Sequence, residues 1–426
     1  MNFLLNKPSI DAALYLHIPF CQKLCYFCFC YTKIIKEKTN EVVINTLQNI
    51  QREINLYRNH FINSTTPKIR QLQIGGGTPT YLTNSQFSQM FSSLNEAFDL
   101  SELDEFSLEI DPRTVNSEDI AYLIYIGVNR ISMGVQDFDP KVQEAINRVQ
   151  PISMIEDLLN DIPDISLNFD LIYGLPHQTL QTFEITIDQC IQLGVDRLSV
   201  YSYDHTPEIY NHHKMMDPSV MPSTEEKIEM FLSTAEKLKN AGYQWVGVDH
   251  FAKKSDNLSI AQEKKQLGRT LNGYSTFREF DTEFGIGPSA ISTLPTSYSQ
   301  NIKSLDDYSS AISEGKFPVL RGWPMDDDDL KRRGVIMHII LYSYYPLNMF
   351  EILHGVTVFD YFENLNAKLQ QLVQHGLIEI SGDLLTATSL GRYYIYQIAK
   401  VFDKYTSTKD YYVRTHAAVK MLKQIR

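Results

Sequence analysis

Apolar runs rich in β-branched and aromatic residues recur through the first half of the chain. They fall at Leu14–Ile18, Leu72–Gly75, Phe106–Ile110, Arg130–Val135, Asn168–Tyr173 and Arg197–Tyr203. Segments with helical spacing of apolar residues separate them, among them Glu41–Tyr57, Asn84–Phe98, Ser117–Ile126 and Leu180–Leu193. This alternation predicts βαβ units and a parallel sheet. Six such units make a closed or partly open barrel, and Trp245–Val248 adds a strand after a helix over Glu225–Ala241. Ligands of such sheets gather at the C-terminal ends of the strands. Reactive residue types cluster there: four cysteines after the first run, Gly75-Gly76-Gly77 after the second, Glu109 ending the third, Gln136 after the fourth and Asp170 in the fifth.

From about Ala261 the alternation stops. Residues 261–323 are mixed and rich in turn formers, which suggests a connecting segment that closes the site. Asp327–Tyr342, Leu347–His354 and Phe359–His375 then read as helices. Leu377–Ile380 and Leu384–Ala387 read as a hairpin turning at Ser381-Gly382-Asp383, and Leu390–Phe402 as a last helix. Three helices with a small hairpin resemble a winged-helix module. The expected division is a barrel over 1–260, the connecting segment 261–323, and an α-rich, winged-helix-like domain over 324–426. The fold class is α/β, a partial (β/α)6-type barrel with that C-terminal domain.

Composition narrows the function. Hydrophobic residues make up 43% and charged residues 21%, which argues against disorder. A formal net charge of −12 disfavours nonspecific binding to nucleic acid or an anionic membrane, and the C-terminal module has no basic recognition helix. The chain opens without a charged stretch followed by a long apolar one, and no run of 18 apolar residues occurs, so no secretion signal and no membrane span is expected. The expected location is the cytoplasm.

Five cysteines are present, four of them at 21, 25, 28 and 30. A disulfide framework would spread its cysteines and pair them evenly, whereas bunching points to metal. Cys190, in a helical stretch, reads as a core residue. A [4Fe–4S] cluster normally takes four thiolates, and the Cys21-x3-Cys25-x2-Cys28 loop supplies three, leaving one iron open for a ligand. Cys30 follows Cys28 too closely to serve easily as the fourth. A zinc site or inert buried thiols are the alternatives, although zinc prefers a closed tetrahedral set and His17 lies within the strand. Three glycines before Thr78-Pro79-Thr80 exceed what a tight turn needs and allow backbone N–H groups to approach a ligand. Glu109 and Asp170 can accept from an ammonium or from ribose hydroxyls, Gln136 can bind ribose or carboxylate, and Arg148 can fork onto a carboxylate. The bland alternatives are rim salt bridges for the two acids, simple packing for Tyr15 and a solvated helix position for Arg148.

The CxxxCxxC loop with GGGTPT resembles the radical S-adenosylmethionine (SAM) superfamily. Longer strings narrow the resemblance: HIPFCQKLCYFCFC, GGGTPTYL, LEIDPR, GVQDFDPKVQEAINRVQ, DLIYGLPHQT, DRLSVYSYDH, VDHFA and RGWPMDDDDLKRRGVI. Together they are similar to the oxygen-independent coproporphyrinogen III oxidase (coproporphyrinogen dehydrogenase) family of anaerobic haem synthesis, from about Tyr15 to Arg333. The resemblance implies a [4Fe–4S] cluster on Cys21, Cys25 and Cys28, and two SAM molecules. Tyr15, Gly76, Glu109 and Ile291 would contact the first. Phe27, Gly77, Thr78, Gln136, Arg148, Asp170 and Asp204 would contact the second, Asp204 through its backbone. Cys30 would act on the substrate side. The implied substrate is a porphyrinogen whose propionates lose CO2 to become vinyl groups, with Arg269, Arg321, Arg332 and Arg333 as candidates for its carboxylates. A small flavodoxin-like electron donor and a monomeric state are also implied. The chain departs from the family pattern in three places. It begins 20 residues before Cys21 where a longer arm is usual, carries Phe29 where a glycine is usual, and ends VKMLKQIR without the usual Ser-Arg. A related methyltransferase, a haem-degrading enzyme and a haem chaperone are the competing readings.

Overall fold

The computed structural model describes residues 11–62, 65–162, 165–276 and 282–406. The N-terminal arm and the VKMLKQIR end therefore lie outside the described residues.

The chain lays down β1 (Asp11–Ile18), then a short parallel pair, β2 (Phe20–Cys21) and β3 (Lys33–Ile34), that brackets the cysteine loop. Next come β4 (Lys68–Gly76), β5 (Glu105–Ile110), β6 (Arg130–Gln136), β7 (Ser166–Tyr173) and β8 (Arg197–Ser202), joined through helices. Those helices start where the sequence supplies a cap: Thr83, Asn116 and Thr179 each form a reciprocal capping box at the first residues of Asn84–Ala97, Ser117–Tyr125 and Leu180–Gln192. A hairpin, β9 (Tyr243–Val246) and β10 (His250–Lys253), follows the helix Thr224–Asn240. A two-residue pair, β11 (Gly268–Arg269) and β12 (Tyr274–Ser275), then precedes β13 (Glu283–Ile286), β14 (Ile291–Leu294), β15 (Ser297–Asn301) and β16 (Val319–Pro324).

Twelve of these strands form one sheet in the order β16-β15-β14-β13-β1-β4-β5-β6-β7-β8-β10-β9. The seven from β13 to β8 run parallel, and antiparallel strands extend both edges. The six expected parallel strands are present. The sheet nonetheless continues past residue 260, because β13 pairs with β1 on the edge opposite β8. Strands such as Ile291–Leu294 and Ser297–Asn301 are short and carry Ser, Thr and Gln, so no apolar run marks them.

Along β4 to β8 the residues alternate strictly. Leu72, Ile74, Phe106, Leu108, Ile131, Met133, Phe169, Leu171, Leu198 and Val200 pack under the helices in the main core. Their neighbours Gln71, Gln73, Glu105, Ser107, Arg130, Ser132, Asn168, Arg197 and Ser199 face the bore. At its floor Arg130 Nε meets Glu105 Oε2 at 2.9 Å, and Arg197 Nη2 meets Asp256 Oδ1 at 2.8 Å.

The C-terminal part begins with helix Asp327–Tyr342 and has its own core, including Phe350, Leu369, Leu385 and Phe402. A strand that the sequence pattern misses, β17 (Tyr344–Pro346), joins β18 (Ile378–Ser381) and β19 (Leu384–Ala387) in the order β17-β19-β18. The expected helix Phe359–His375 is broken in two at Asn364, whose φ of 56° is left-handed. Arg392 fastens this part to the sheet: its guanidinium lies 3.9 Å from the Trp245 ring centroid and donates to the Trp245 carbonyl at 2.9 Å. Among the described residues no helix is long and apolar enough to cross a membrane.

Candidate functional site

A cavity of about 340 Å³ opens at the C-terminal ends of the parallel strands. Cys21, Cys25, Cys28 and Cys30 line it, with Phe27, Gly76, Gly77, Thr78, Glu109, Gln136, Arg148 and Asp170. The sequence reading thus places twelve of its fifteen named site residues around one space.

Hydrogen bonds shape the cysteine loop throughout. Gly77 N–H donates to Ile18 O and Thr78 N–H to Phe20 O, both at 2.8 Å, which ties the glycine turn to the loop entrance. Lys33 N–H donates to Pro19 O at 2.7 Å and closes the exit. Asn147 Nδ2 donates to Leu24 O at 2.8 Å and Tyr26 N–H to Ile146 O at 3.0 Å. The Cys21 thiol accepts from Thr32 Oγ1 at 3.1 Å, and its sulfur lies 3.3 Å from Thr78 Oγ1. Cys25 Sγ takes Arg148 Nη1 at 3.5 Å and Arg113 Nη2 at 3.6 Å, and Cys28 Sγ takes the Cys30 N–H at 3.3 Å.

The chain itself demands the three glycines. A Cβ on Gly75 would enter the Glu109 carboxyl, and one on Gly76, at φ +113°, would meet the His17 ring at 2.6 Å. A Cβ on Gly77 would meet Phe20 O at 2.7 Å. His17 Nε2–H donates to Tyr31 O at 3.0 Å, so its Nδ1 accepts from Tyr15 OH at 3.2 Å. Burial pushes His17 down to about 4 and keeps that imidazole neutral.

The acids differ in character. Glu109 accepts from Gly76 N–H at 3.0 Å and Gln73 Nε2 at 3.2 Å, yet burial, with the nearby Asp170 carboxylate, lifts it to about 7. Asp170 is also raised by burial and accepts from Ser132 Oγ and Asn168 Nδ2, both at 2.9 Å. Burial acts on Asp111 too, but Arg148 at 3.2 Å and Arg113 at 2.6 Å hold its carboxyl below the ordinary range. Arg148 is buried: it also donates to Gly134 O at 2.7 Å and to Gln150 Oε1 at 3.1 Å, which sets aside a solvated position. Gln136 sits at φ 66°, where the pairing of β6 with β7 slips, and its buried Oε1 has no partner. A strained, unsatisfied acceptor on the cavity wall is what a donating ligand would complete.

Three expected contacts do not reach the cavity wall. Tyr15 is buried against His17, and Ile291 offers its carbonyl to Asn272 Nδ2 at 3.0 Å. The Asp204 side chain is 80% exposed and faces Lys227 at 3.7 Å. Nor do the four arginines converge. Arg269 lines a second cavity of about 260 Å³ that shares Glu109, Ser132, Asp170 and Tyr201 with the first. Arg321 is exposed on β16 and bonds Gln300 Oε1. Arg332 pairs with Asp328 at 2.9 Å, and it lines with Arg333 a separate groove beside Tyr298 and Trp323. Phe29 lies outside both cavity walls. Asp111 and Arg113 were missed as individual residues, although the LEIDPR string carries both directly after a predicted strand.

The donor set fits the implied group. Three thiols on a preformed loop face one cavity, and among the described residues no three His, Cys, Asp or Glu side chains gather as a single-ion site. That arrangement suits a polynuclear cluster better than zinc.

Comparison with known proteins agrees with this geometry. Residues 15–190 match the Radical SAM superfamily. The chain is 37% identical over 405 residues to an oxygen-independent coproporphyrinogen III oxidase of Pseudomonas aeruginosa, covering 94% of this chain and 87% of that protein. It is 38% identical over 412 residues to the corresponding protein of Synechocystis, covering 95% and 87%. A solved structure of coproporphyrinogen III oxidase from Escherichia coli, described as a radical SAM enzyme, superposes with a TM-score of 0.88 at 35% identity, over 95% of this chain and 93% of that one.

Proposed function

Since the chain belongs to the oxygen-independent coproporphyrinogen III oxidase family of radical SAM enzymes, we propose that it converts propionate side chains of coproporphyrinogen III to vinyl groups, giving protoporphyrinogen IX in anaerobic haem synthesis. Its cofactors are the family's [4Fe–4S] cluster and SAM. The observation that carries the reading is one cavity walled by the Cys21, Cys25 and Cys28 loop, the Gly76–Glu109 corner and the extra thiol of Cys30.

When bound, the cluster and SAM supply one-electron chemistry that takes a hydrogen atom from a propionate β-carbon, after which CO2 and an electron leave. The residues divide the remaining work. Cys21, Cys25 and Cys28 hold the cluster, and Arg113 and Arg148 offset thiolate charge at Cys25. Gly76 and Glu109 would hold a first SAM, with Glu109 as the acceptor for a donating or cationic group. Phe27, Gly77, Thr78, Gln136, Arg148 and Asp170 line the place of a second, with Asp204 contributing backbone only. Tyr15 acts through His17, which fixes the loop exit at Tyr31. Cys30 stands on the substrate side. A small flavodoxin-like protein delivers electrons to a monomer.

The test is anaerobic turnover with reconstituted cluster, SAM, dithionite and coproporphyrinogen III, followed by separation of vinyl products. Two vinyl groups per product molecule and released CO2 are expected. SAM cleavage without vinyl product would assign the chain to a related radical SAM reaction, and tight haem binding without turnover would make it a chaperone.

A further inference from the structure

Cys28 and Cys30 both face the cavity, and the residue between them does not. Phe29 turns instead into a block of rings on the segment after β8. Its ring lies edge-on to His213 at 4.9 Å and to Tyr210 at 5.2 Å, with Tyr203 at 6.1 Å. The block is packed in its own right. Tyr210 and His213 stack at 5.2 Å, and His213 is fully buried and accepts from Thr206 N–H at 3.2 Å. Tyr203 and Met216 share a small core with Cys25 and Phe27. The short turn Asn211–Met215 adds a direct tie: His212 Nε2–H donates to the Cys28 carbonyl at 2.7 Å.

We propose that Phe29 is a positioning residue whose ring, seated against Tyr203, Tyr210 and His213 and backed by the bond from His212 to Cys28, aims Cys28 and Cys30 into the cavity before the cluster is loaded. The proposal rests on the reading that this loop holds the cluster. The physical reason is local. Cys28 and Cys30 flank a residue whose side chain leaves the backbone on the other side, so fixing that side chain fixes the direction of both thiols. The entrance of the loop is already held by Gly77 and Thr78 and its middle by Asn147 and Ile146. Phe29 and His212 secure the outgoing arm at Cys28.

The experiment compares wild type with Phe29→Ala, Phe29→Tyr and His212→Ala. Amide hydrogen exchange on the metal-free chain reads the loop directly. Loss of iron to a chelator from the reconstituted protein reads its effect on the cluster. Edge-on aromatic contacts of this kind predict that Phe29→Ala exchanges the Tyr26–Tyr31 amides and releases iron about tenfold faster. Phe29→Tyr restores both, His212→Ala moves both in the same direction by less, and the thermal unfolding midpoint shifts by no more than about 2 °C in any of the three. Iron release and loop exchange at the wild-type rate in Phe29→Ala would overturn the proposal. So would faster exchange throughout the barrel with a lowered unfolding midpoint, because that marks a general structural role. Wild-type protein that takes up no iron would sink the cofactor reading and this proposal with it, whereas iron held equally well by wild type and Phe29→Ala sinks this proposal alone.

Discussion

Replacing Glu109 with glutamine tests the cofactor corner with little change of shape. The glutamine oxygen can still accept from Gly76 N–H, and the Gln73 amide can turn to offer its oxygen to the new NH2. Only the charge is lost. A hydrogen bond to a charged group contributes about 1.5–3 kcal/mol net, so SAM affinity should fall by roughly 10- to 150-fold. The pH profile gives a second signature. Glu109 sits at about 7, so it is mostly neutral at pH 6 and mostly ionised at pH 8. Wild-type affinity for the SAM ammonium should therefore rise about tenfold from pH 6 to pH 8, and the variant should stay flat. Stability moves the other way. A carboxyl whose folded value is raised contributes stability that is full below its unfolded value near 4.5 and is lost as pH rises through about 7. The carboxyl still touches cavity solvent, which cuts the effect to about 1–2 kcal/mol. At pH 8 without SAM, Glu109→Gln should thus unfold at a higher temperature than wild type while binding SAM more weakly. Anaerobic equilibrium dialysis of cluster-loaded protein at pH 6, 7 and 8, with thermal unfolding alongside, measures both. Equal SAM affinity and an equal pH slope in the variant would refute the assignment.

Single replacements of Cys21, Cys25 or Cys28 by serine should each remove most of the roughly four irons and four sulfides per chain expected of anaerobically reconstituted protein. Cys30→Ser should keep a full complement of iron and keep SAM cleavage without substrate, yet lose most vinyl formation; iron analysis and product separation on one preparation distinguish the two effects. Glu53→Ala should destabilise by about 3–5 kcal/mol in urea unfolding. It strands the donors that Glu53 satisfies, Gly287 N–H at 2.8 Å, Asn301 Nδ2 at 2.7 Å and Tyr308 OH at 2.5 Å, inside a fully buried site.

The parallel core was legible because its strands recur at regular spacing with β-forming residues at alternate positions, and most intervening helices begin at a capping residue. The strands from Glu283–Ile286 to Val319–Pro324 were not, because each is short and most carry Ser, Thr, Gly or Gln among their apolar residues, so they match ordinary loops. The cysteine loop, Glu109, Gln136, Arg148 and Asp170 were legible from their place after strands. The contacts at Asp204 and Ile291 came from resemblance alone, and neither side chain reaches the cavity wall. The bore itself had a signal that a search for apolar runs overlooks. Glu105-Phe106-Ser107-Leu108-Glu109 and Arg130-Ile131-Ser132-Met133-Gly134 alternate polar and apolar at period two within strands that are covered on both faces. In a strand so placed, the polar set must face an internal space.

That internal space is electrically ordered. On the loop side, Arg113 and Arg148 both lie within 3.6 Å of Cys25 Sγ, and their shared partner Asp111 is held ionised. A cluster on three thiolates is anionic, and guanidinium groups at that distance favour it and ease its reduction. Toward the bore the sign reverses: Glu109 and Asp170 face the cavity as acids raised by burial, and among the described residues neither has a cationic partner within ion-pair distance. From Asp170 a polar chain continues through Asn168 to Ser199, and Ser199 Oγ lies 3.1 Å from His250 Nε2. Two buried carboxyls without a cation are costly unless a cation arrives, and the ammonium and sulfonium of SAM are such charges. On the function proposed above, this polarity would favour the anionic cluster on the side of Arg113 and Cys25 and the cationic SAM beside Glu109 and Asp170. Reversing one pole tests this: Arg113→Glu should lower the midpoint potential of the bound cluster and leave SAM affinity within about threefold, because its guanidinium is spent on Asp111 and Cys25 and not on the acids across the cavity. A SAM affinity that collapses together with the potential would show that the two poles are not separate.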